Sequence, residues 1–298
     1  MIGIDALKLL HFEIVSGCQL SCVGCPSPIV NSKIEWIDPL DFHQCFSNLD
    51  VKAINILRLF NYGEPLLHPQ LTQIGEVLLK NKHINFNRIE ISTNAQHCNW
   101  DDFEGLIRLG VITDIAVSCD GDGTPESYTS LRPPAKWNKL LEFFEKCSTL
   151  VKNAASSVNL ITRTIITSHS DIQRWNAVLA PYGFKPEFRG WKQLPQSRKN
   201  MTNRQTCPGR GICQFVERAD SFFINAHGEV VPCCAHPKAG FFGNIKGSKL
   251  SQIANGPQRQ QFIRRLLTDR ETMEICGRCE FGPRDNPGPS AGQILPST

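Results

Sequence analysis

Residues 17–26 read Gly-Cys-Gln-Leu-Ser-Cys-Val-Gly-Cys-Pro and follow the alternating, strand-like run Leu-Leu-His-Phe-Glu-Ile-Val at 9–15. Cys18, Cys22 and Cys25 thus stand in C-x3-C-x2-C spacing at a strand's C-terminal end. A [4Fe–4S] cube normally takes four cysteines, so a tight loop of three leaves one iron without a protein donor, and an open metal position is where chemistry happens. Structural zinc is the plainer alternative, although its usual signature is a pair of two-residue knuckles.

The bulk of the sequence permits such a centre without demanding one. A chain of 298 residues buries a sizeable core. Its net charge of +4, from 32 basic and 28 acidic residues, is scattered and forms no nucleic-acid patch. No apolar run is long enough to span a membrane, and the first residues lack a secretion signal, so no membrane contact and a cytoplasmic location are expected. Thirteen cysteines clustered at short spacings point to metal ligation rather than disulfides. Seven fall in two metal constellations; Cys45, Cys98, Cys119, Cys147, Cys207 and Cys234 are expected by default as ordinary buried or surface thiols.

From residue 9 to about 191, strand and helix patterns alternate. Strands are expected at 9–15, 53–60, 88–92, 114–118, 158–166 and 184–191, and helices at 38–46, 71–79, 101–109, 136–151 and 171–182. Strands joined through helices pair in parallel, and ligand chemistry then belongs at their C-terminal ends. After strand two stands Asn61-Tyr-Gly-Glu-Pro65, after strand three Ser92-Thr-Asn94, and after strand four Ser118-Cys-Asp-Gly121, with Arg132 downstream. Glycine permits close backbone approach, a carboxylate suits a cationic amine, and arginine grips a carboxylate bidentately.

The cysteine triplet and these strand-end segments resemble the radical S-adenosylmethionine (SAM) superfamily. The resemblance implies an α/β fold, a partial (β/α)6 barrel, in which SAM occupies the fourth iron of a [4Fe–4S] cluster held by Cys18, Cys22 and Cys25. Gly63, Glu64 and Pro65 match part of the family's Gly-Gly-Glu-Pro segment, with Tyr62 in place of its first glycine. Thr93, Asn94 and Ser118 match its further SAM-facing positions. Arg132 becomes a candidate for the SAM carboxylate, with Arg163 and Thr164 open as rivals. The family often has an aromatic residue beside the adenine just before the third cysteine; here Gly24 stands there, so any ring must come from elsewhere.

Beyond a polar linker at 192–211, Cys213, Gly228-Glu-Val-Val-Pro-Cys-Cys234, Phe242-Gly-Asn-Ile245 and Cys276-Gly-Arg-Cys279 resemble the SPASM/twitch extension of that family. A β-hairpin around 221–231 and helices at 248–254 and 258–267 are expected to carry one auxiliary [4Fe–4S] cluster on Cys213, Cys233, Cys276 and Cys279. Cys207 and Cys234 are rivals for the first two places, and zinc is the rival metal. The domains are then 1–195 for the barrel, 196–281 for the small hairpin-plus-helix unit, and 282–298 for a flexible tail.

The resemblance implies reductive cleavage of SAM to a 5′-deoxyadenosyl radical, fed by a low-potential donor such as flavodoxin or ferredoxin, and hydrogen abstraction from a substrate. A fully ligated auxiliary cluster suits a net oxidation of a small molecule or protein side chain, within a barrel whose apolar walls exclude water. The alternatives are peptide modification by C–C or C–S bond formation or epimerisation, and, from another class, a non-catalytic electron carrier or zinc scaffold. Strand one is expected to begin near residue 9 with no peptide-recognition domain ahead of it, which weakens the expectation of leader-bearing peptide substrates. The catalytic base is open, with Glu217, Asp220 and His227 nearest the second constellation.

Overall fold

The structure, a computed structural model, describes residues 4–27, 33–154, 156–197, 199, 209–217 and 219–282. Cys207 and residues 283–298, the greater part of the expected tail, lie outside the described residues. The six expected strands all form: β1 (Leu9–Phe12), β2 (Ala53–Arg58), β3 (Asn85–Thr93), β4 (Asp114–Asp120), β5 (Asn159–Ile165) and β6 (Lys185–Arg189). They lie side by side in that order, all parallel, with Leu10 opposite Leu57 and Ile91 opposite Ile115. β1 is shorter than its alternation suggests, because Val15–Ser16 peels away to pair with Glu35–Trp36.

Helices fill the links between strands. α1 (Pro39–Ser47) starts where Asp38 accepts the Leu40 N–H at 2.8 Å, with proline at the position that needs no donor. Its Phe42 and Phe46 meet Phe12 at ring separations of 4.9 and 5.6 Å. Each such buried ring contributes roughly 2–3 kcal/mol. α2 (Leu71–Lys80), α3 (Trp100–Arg108), α5 (Trp137–Asn153) and α6 (Ser170–Leu179) follow the expected spans within a few residues. Between them α4 (Pro125–Leu131) is a helix that the strand–helix count passed over. Its local signal was present, since Thr124 accepts the Ser127 N–H ahead of a first-turn proline.

The C-terminal residues do not stand apart from this sheet. β7 (Ser221–Ile224) runs parallel to β1, with Phe222 opposite Leu10 and Ile224 opposite Phe12. β8 (Glu229–Val231) and β9 (Gly243–Asn244) extend the same sheet outward. The hairpin turn forms because the Asn225 side chain accepts the N–H groups of His227 and Glu229, while Gly228 takes φ +78°. α7 (Leu250–Ala254) and α8 (Pro257–Thr268) return across it, and the Leu250 N–H bonds the Asn48 carbonyl at 3.0 Å.

One expectation about the barrel changes. Its interior is not apolar throughout, because a charged row crosses the strands. His11 contacts Arg58 at 3.3 Å, Arg58 and Arg163 both pair with Glu90, and Glu187 pairs with Arg163 at 3.6 Å and Arg189 at 2.7 Å. Parallel register puts Arg58 opposite Glu90 and Arg163 opposite Glu187, so opposite charges face one another on these two strand pairs. Burial and the neighbouring guanidiniums push the His11 ring down to about 3, which keeps it neutral.

Candidate active site

Cys18, Cys22 and Cys25 line a cavity of about 420 Å³ at the C-terminal ends of the strands. Their loop is held from several sides. Gly17 takes φ +86°, and a Cβ there would meet the Lys33 carbonyl oxygen at 2.2 Å. The Ser21 and Val23 N–H groups bond the carbonyls of Pro133 and Leu131 at 2.6 and 3.0 Å. Gln19 and Asn94 exchange side-chain amide hydrogen bonds at 3.1 and 3.2 Å, and Asn94 also donates to Cys18 Sγ at 3.3 Å. The triplet is thereby fastened to the end of β3.

Gly63, Glu64, Ser92, Thr93, Asn94, Ser118 and Arg132 line the same cavity, so residues spread over more than a hundred positions share one space. Gly63 is required sterically: a Cβ there would stand 1.7 Å from the Val15 carbonyl oxygen. Pro65 opens a short 3-10 turn (Pro65–Leu67) and does not itself line the cavity. The buried Glu64 side chain accepts from Leu66 N–H at 3.1 Å and from Asn94 N–H at 2.7 Å, so it welds the ends of β2 and β3 together. Arg132 is placed by α4, its N–H bonding the Tyr128 carbonyl, and its guanidinium pairs with Asp120 at 2.6 Å. The rivalry on β5 resolves by alternation: Arg163 lines the cavity, whereas Thr164 is buried against Thr162 at 2.9 Å.

The space beside Gly24 is taken by Trp191. A Cβ on Gly24 would lie 2.7 Å from the indole Cζ3, so the ring from beyond β6 rests on the cysteine loop itself. Glu217, Asp220 and His227 line neither this cavity nor the one below, and His227 meets Glu35 at 3.6 Å on the exposed hairpin.

The donor set fits an iron–sulfur cluster. All three side chains are thiols, without carboxylate or imidazole among them, as soft metal centres prefer. Burial pushes Cys18 up to about 12 and Cys25 up to about 11, and raises Cys22 as well, with Arg132 opposing in each case. Thiols that resist ionising alone become ligands when a bound metal replaces the proton.

Glu13, beneath this floor, gives a pH signature. It accepts the Tyr62 and Gly63 N–H groups at 2.9 and 2.8 Å, yet desolvation outweighs them and lifts its carboxyl from 4.5 to about 7. The unfolded chain loses this proton first, so stability present at low pH is lost as pH rises from about 4.5 to about 7. Glu64, also raised to about 7, acts in the same direction. Glu13→Gln is expected to flatten roughly half of the fall in melting temperature between pH 5.5 and 8 measured on the reconstituted protein. An unchanged slope would count against this account.

A second constellation lies in the C-terminal unit. Cys213, Cys233, Cys276 and Cys279 line one hollow walled mainly by apolar side chains such as Phe215, Val216 and Ile275. Arg270, which no spacing pattern singled out, binds its edges together. It donates to the carbonyls of Cys276 (3.0 Å), Gly211 (3.0 Å), Cys279 (3.1 Å) and Phe281 (2.6 Å). Cys234 does not line this hollow; its electrostatic neighbours include Arg58 and Lys192.

The radical SAM superfamily profile matches residues 12–173, more than half of the chain. Among solved structures, BtrN in complex with AdoMet and 2-DOIA superposes with a TM-score of 0.54 at 17% identity, covering 93% of each chain. Polyhistidine-tagged anSMEcpe with bound AdoMet gives 0.62 at 15% identity over 92% of this chain and 86% of that one. Native anSMEcpe with bound AdoMet and Cp18Cys peptide gives 0.60 at 15%, over 92% and 89%. No curated protein matches the sequence at a significant level. The chain belongs to the radical SAM superfamily, and is therefore an enzyme that uses a [4Fe–4S] cluster and AdoMet. Within it, residues 213–280 form an iron–sulfur cluster-binding domain of the SPASM type, which adds auxiliary iron–sulfur chemistry. Among the described residues no helix is long and apolar enough to cross a membrane.

Proposed function

We propose that Cys18, Cys22 and Cys25 hold the SAM-cleaving cluster and that the enzyme performs a net oxidation of a small molecule or a protein side chain. The observation that carries this reading is the convergence of the triplet with Gly63, Glu64, Thr93, Asn94, Ser118 and Arg132 on one cavity. Bound there, the cluster and SAM supply one-electron cleavage of a sulfonium, which brings hydrogen abstraction from an unactivated carbon within reach.

The chain's own residues do the rest. Glu64 fixes the Asn94 backbone beside Cys18, and Gly63 and Pro65 set the turn that presents Glu64. Arg132 pairs with Asp120 through Nη1 and keeps its Nε without a partner among the described residues, so it has an N–H to offer the SAM carboxylate. Trp191 supplies a ring face over Gly24 and seals that side against water. Cys213, Cys233, Cys276 and Cys279 hold one auxiliary cluster with four protein ligands. Such a centre has no open iron for substrate and suits removal of the second electron, which supports oxidation. Flavodoxin or ferredoxin is the natural class of electron donor. A reducing, cytoplasmic setting suits thiols that must stay free for metal.

The test is anaerobic reconstitution followed by dithionite and SAM. About eight irons per chain and 5′-deoxyadenosine formed without substrate are expected. About four irons would remove the auxiliary cluster, and no 5′-deoxyadenosine would remove the reading.

A further inference from the structure

Besides the cysteines, Glu64, Thr93 and Ser118, which the proposed function assigns to cluster and SAM, the cavity is lined by Asn61, Tyr62, Trp191, Arg163 and Arg189. Tyr62 is 8% exposed, yet its hydroxyl has no hydrogen-bond partner among the described residues. Neither do the amide oxygen and nitrogen of Asn61 nor the indole nitrogen of Trp191, and all of these atoms are buried. Buried polar atoms in folded proteins are nearly always satisfied. Several left open in one wall await hydrogen bonds from outside the chain.

The character of these groups narrows what enters. The Asn61 amide nitrogen, the Tyr62 hydroxyl and the Trp191 indole all donate, whereas only Asn61 and Tyr62 can accept. Cationic charge is in surplus too. Glu187 is shared between Arg163 and Arg189, and Glu90 among Arg58, Arg88 and Arg163. Neither of these two carboxylates is left without a guanidinium to receive an amine. Arg189 lines the cavity with a half-exposed side chain.

We propose that these residues receive the substrate and that the substrate carries an oxyanion, a carboxylate or a phosphate, next to a hydrogen-bonding group that Asn61 reads. Arg189 and Arg163 take the charge, and the Tyr62 hydroxyl and Trp191 indole take neighbouring oxygens. This inference rests on the radical SAM reading.

Three probes on one three-carbon skeleton separate the possibilities: glycerate, glycerol 3-phosphate and glycerol. Each is titrated by saturation-transfer NMR into the anaerobically reconstituted protein saturated with SAM, with SAM retention measured on the same sample by equilibrium dialysis. At least one anion is expected to bind ten or more times tighter than glycerol, glycerate leading for a carboxylate and glycerol 3-phosphate for a phosphate. Arg189→Gln and, as an independent check should that variant misfold, Asn61→Ala are each expected to weaken the anion roughly tenfold. Equal binding of glycerol, no binding of any probe, or anion affinity untouched in a folded variant would overturn the inference. If SAM is retained in that case, this inference alone fails; if SAM is not retained, the proposed function fails with it.

Discussion

Cys22→Ala is expected to cut the iron content of the reconstituted protein from about eight to about four per chain. 5′-Deoxyadenosine formation should fall to the level of a control without protein. The structure explains why the loss should be this clean. The two residues flanking Cys22 anchor the loop through backbone bonds, Ser21 to Pro133 and Val23 to Leu131, so removing the thiol leaves the path of the chain in place. Cys22 is also only partly exposed and has Arg132 as its leading favourable electrostatic neighbour. Without the thiol, Arg132 keeps its ion pair with Asp120 at 2.6 Å. The variant should therefore fold, keep the auxiliary irons and do nothing with SAM. Iron analysis and chromatographic assay of 5′-deoxyadenosine check the two halves separately, and turnover that persists in the variant would dismiss the triplet as the cluster site.

Gly63→Ala is the second large effect, and it acts through packing. The added methyl would stand 1.7 Å from the Val15 oxygen, 2.6 Å from its carbonyl carbon and 2.9 Å from the Gly17 oxygen. All three obstacles are backbone, so no side chain can swing aside. Relief requires parting the end of β2 from the residues leading into the cysteine loop, which breaks the Glu64 N–H bond to Gly17 at 3.0 Å and disturbs the Glu13 contacts beneath. A loss of roughly 4 kcal/mol or more is expected, in the range reserved for severe core strain, read as a lowered denaturant midpoint or a failure to accumulate folded protein. A variant within about 1 kcal/mol of the parent would mean that the close approach is not what the glycine is for.

Much of the site was legible because its signals are local. Cysteine spacing, Gly-Glu-Pro after a β run and Asn-x-x-Gly at a turn each encode their geometry within a few residues. Strand alternation then placed them at one end of a parallel sheet. What stayed hidden depends on contacts between distant residues. Nothing near Trp191 announces that its ring rests on Gly24, and Arg270 resembles any surface arginine until four carbonyls are seen around it. The charged row was invisible for the same reason: Arg58 faces Glu90 only through sheet register. α4 is the exception, a short helix whose Thr-Pro start stood in plain view.

The shared ladder between β7 and β1 ties the two thiol groups to one frame. Phe222 pairs in register beside Leu10, so the strand that leads toward Cys18 and the strand that lies between Cys213 and Cys233 are neighbours in a single sheet, and backbone hydrogen bonds span the two parts of the chain.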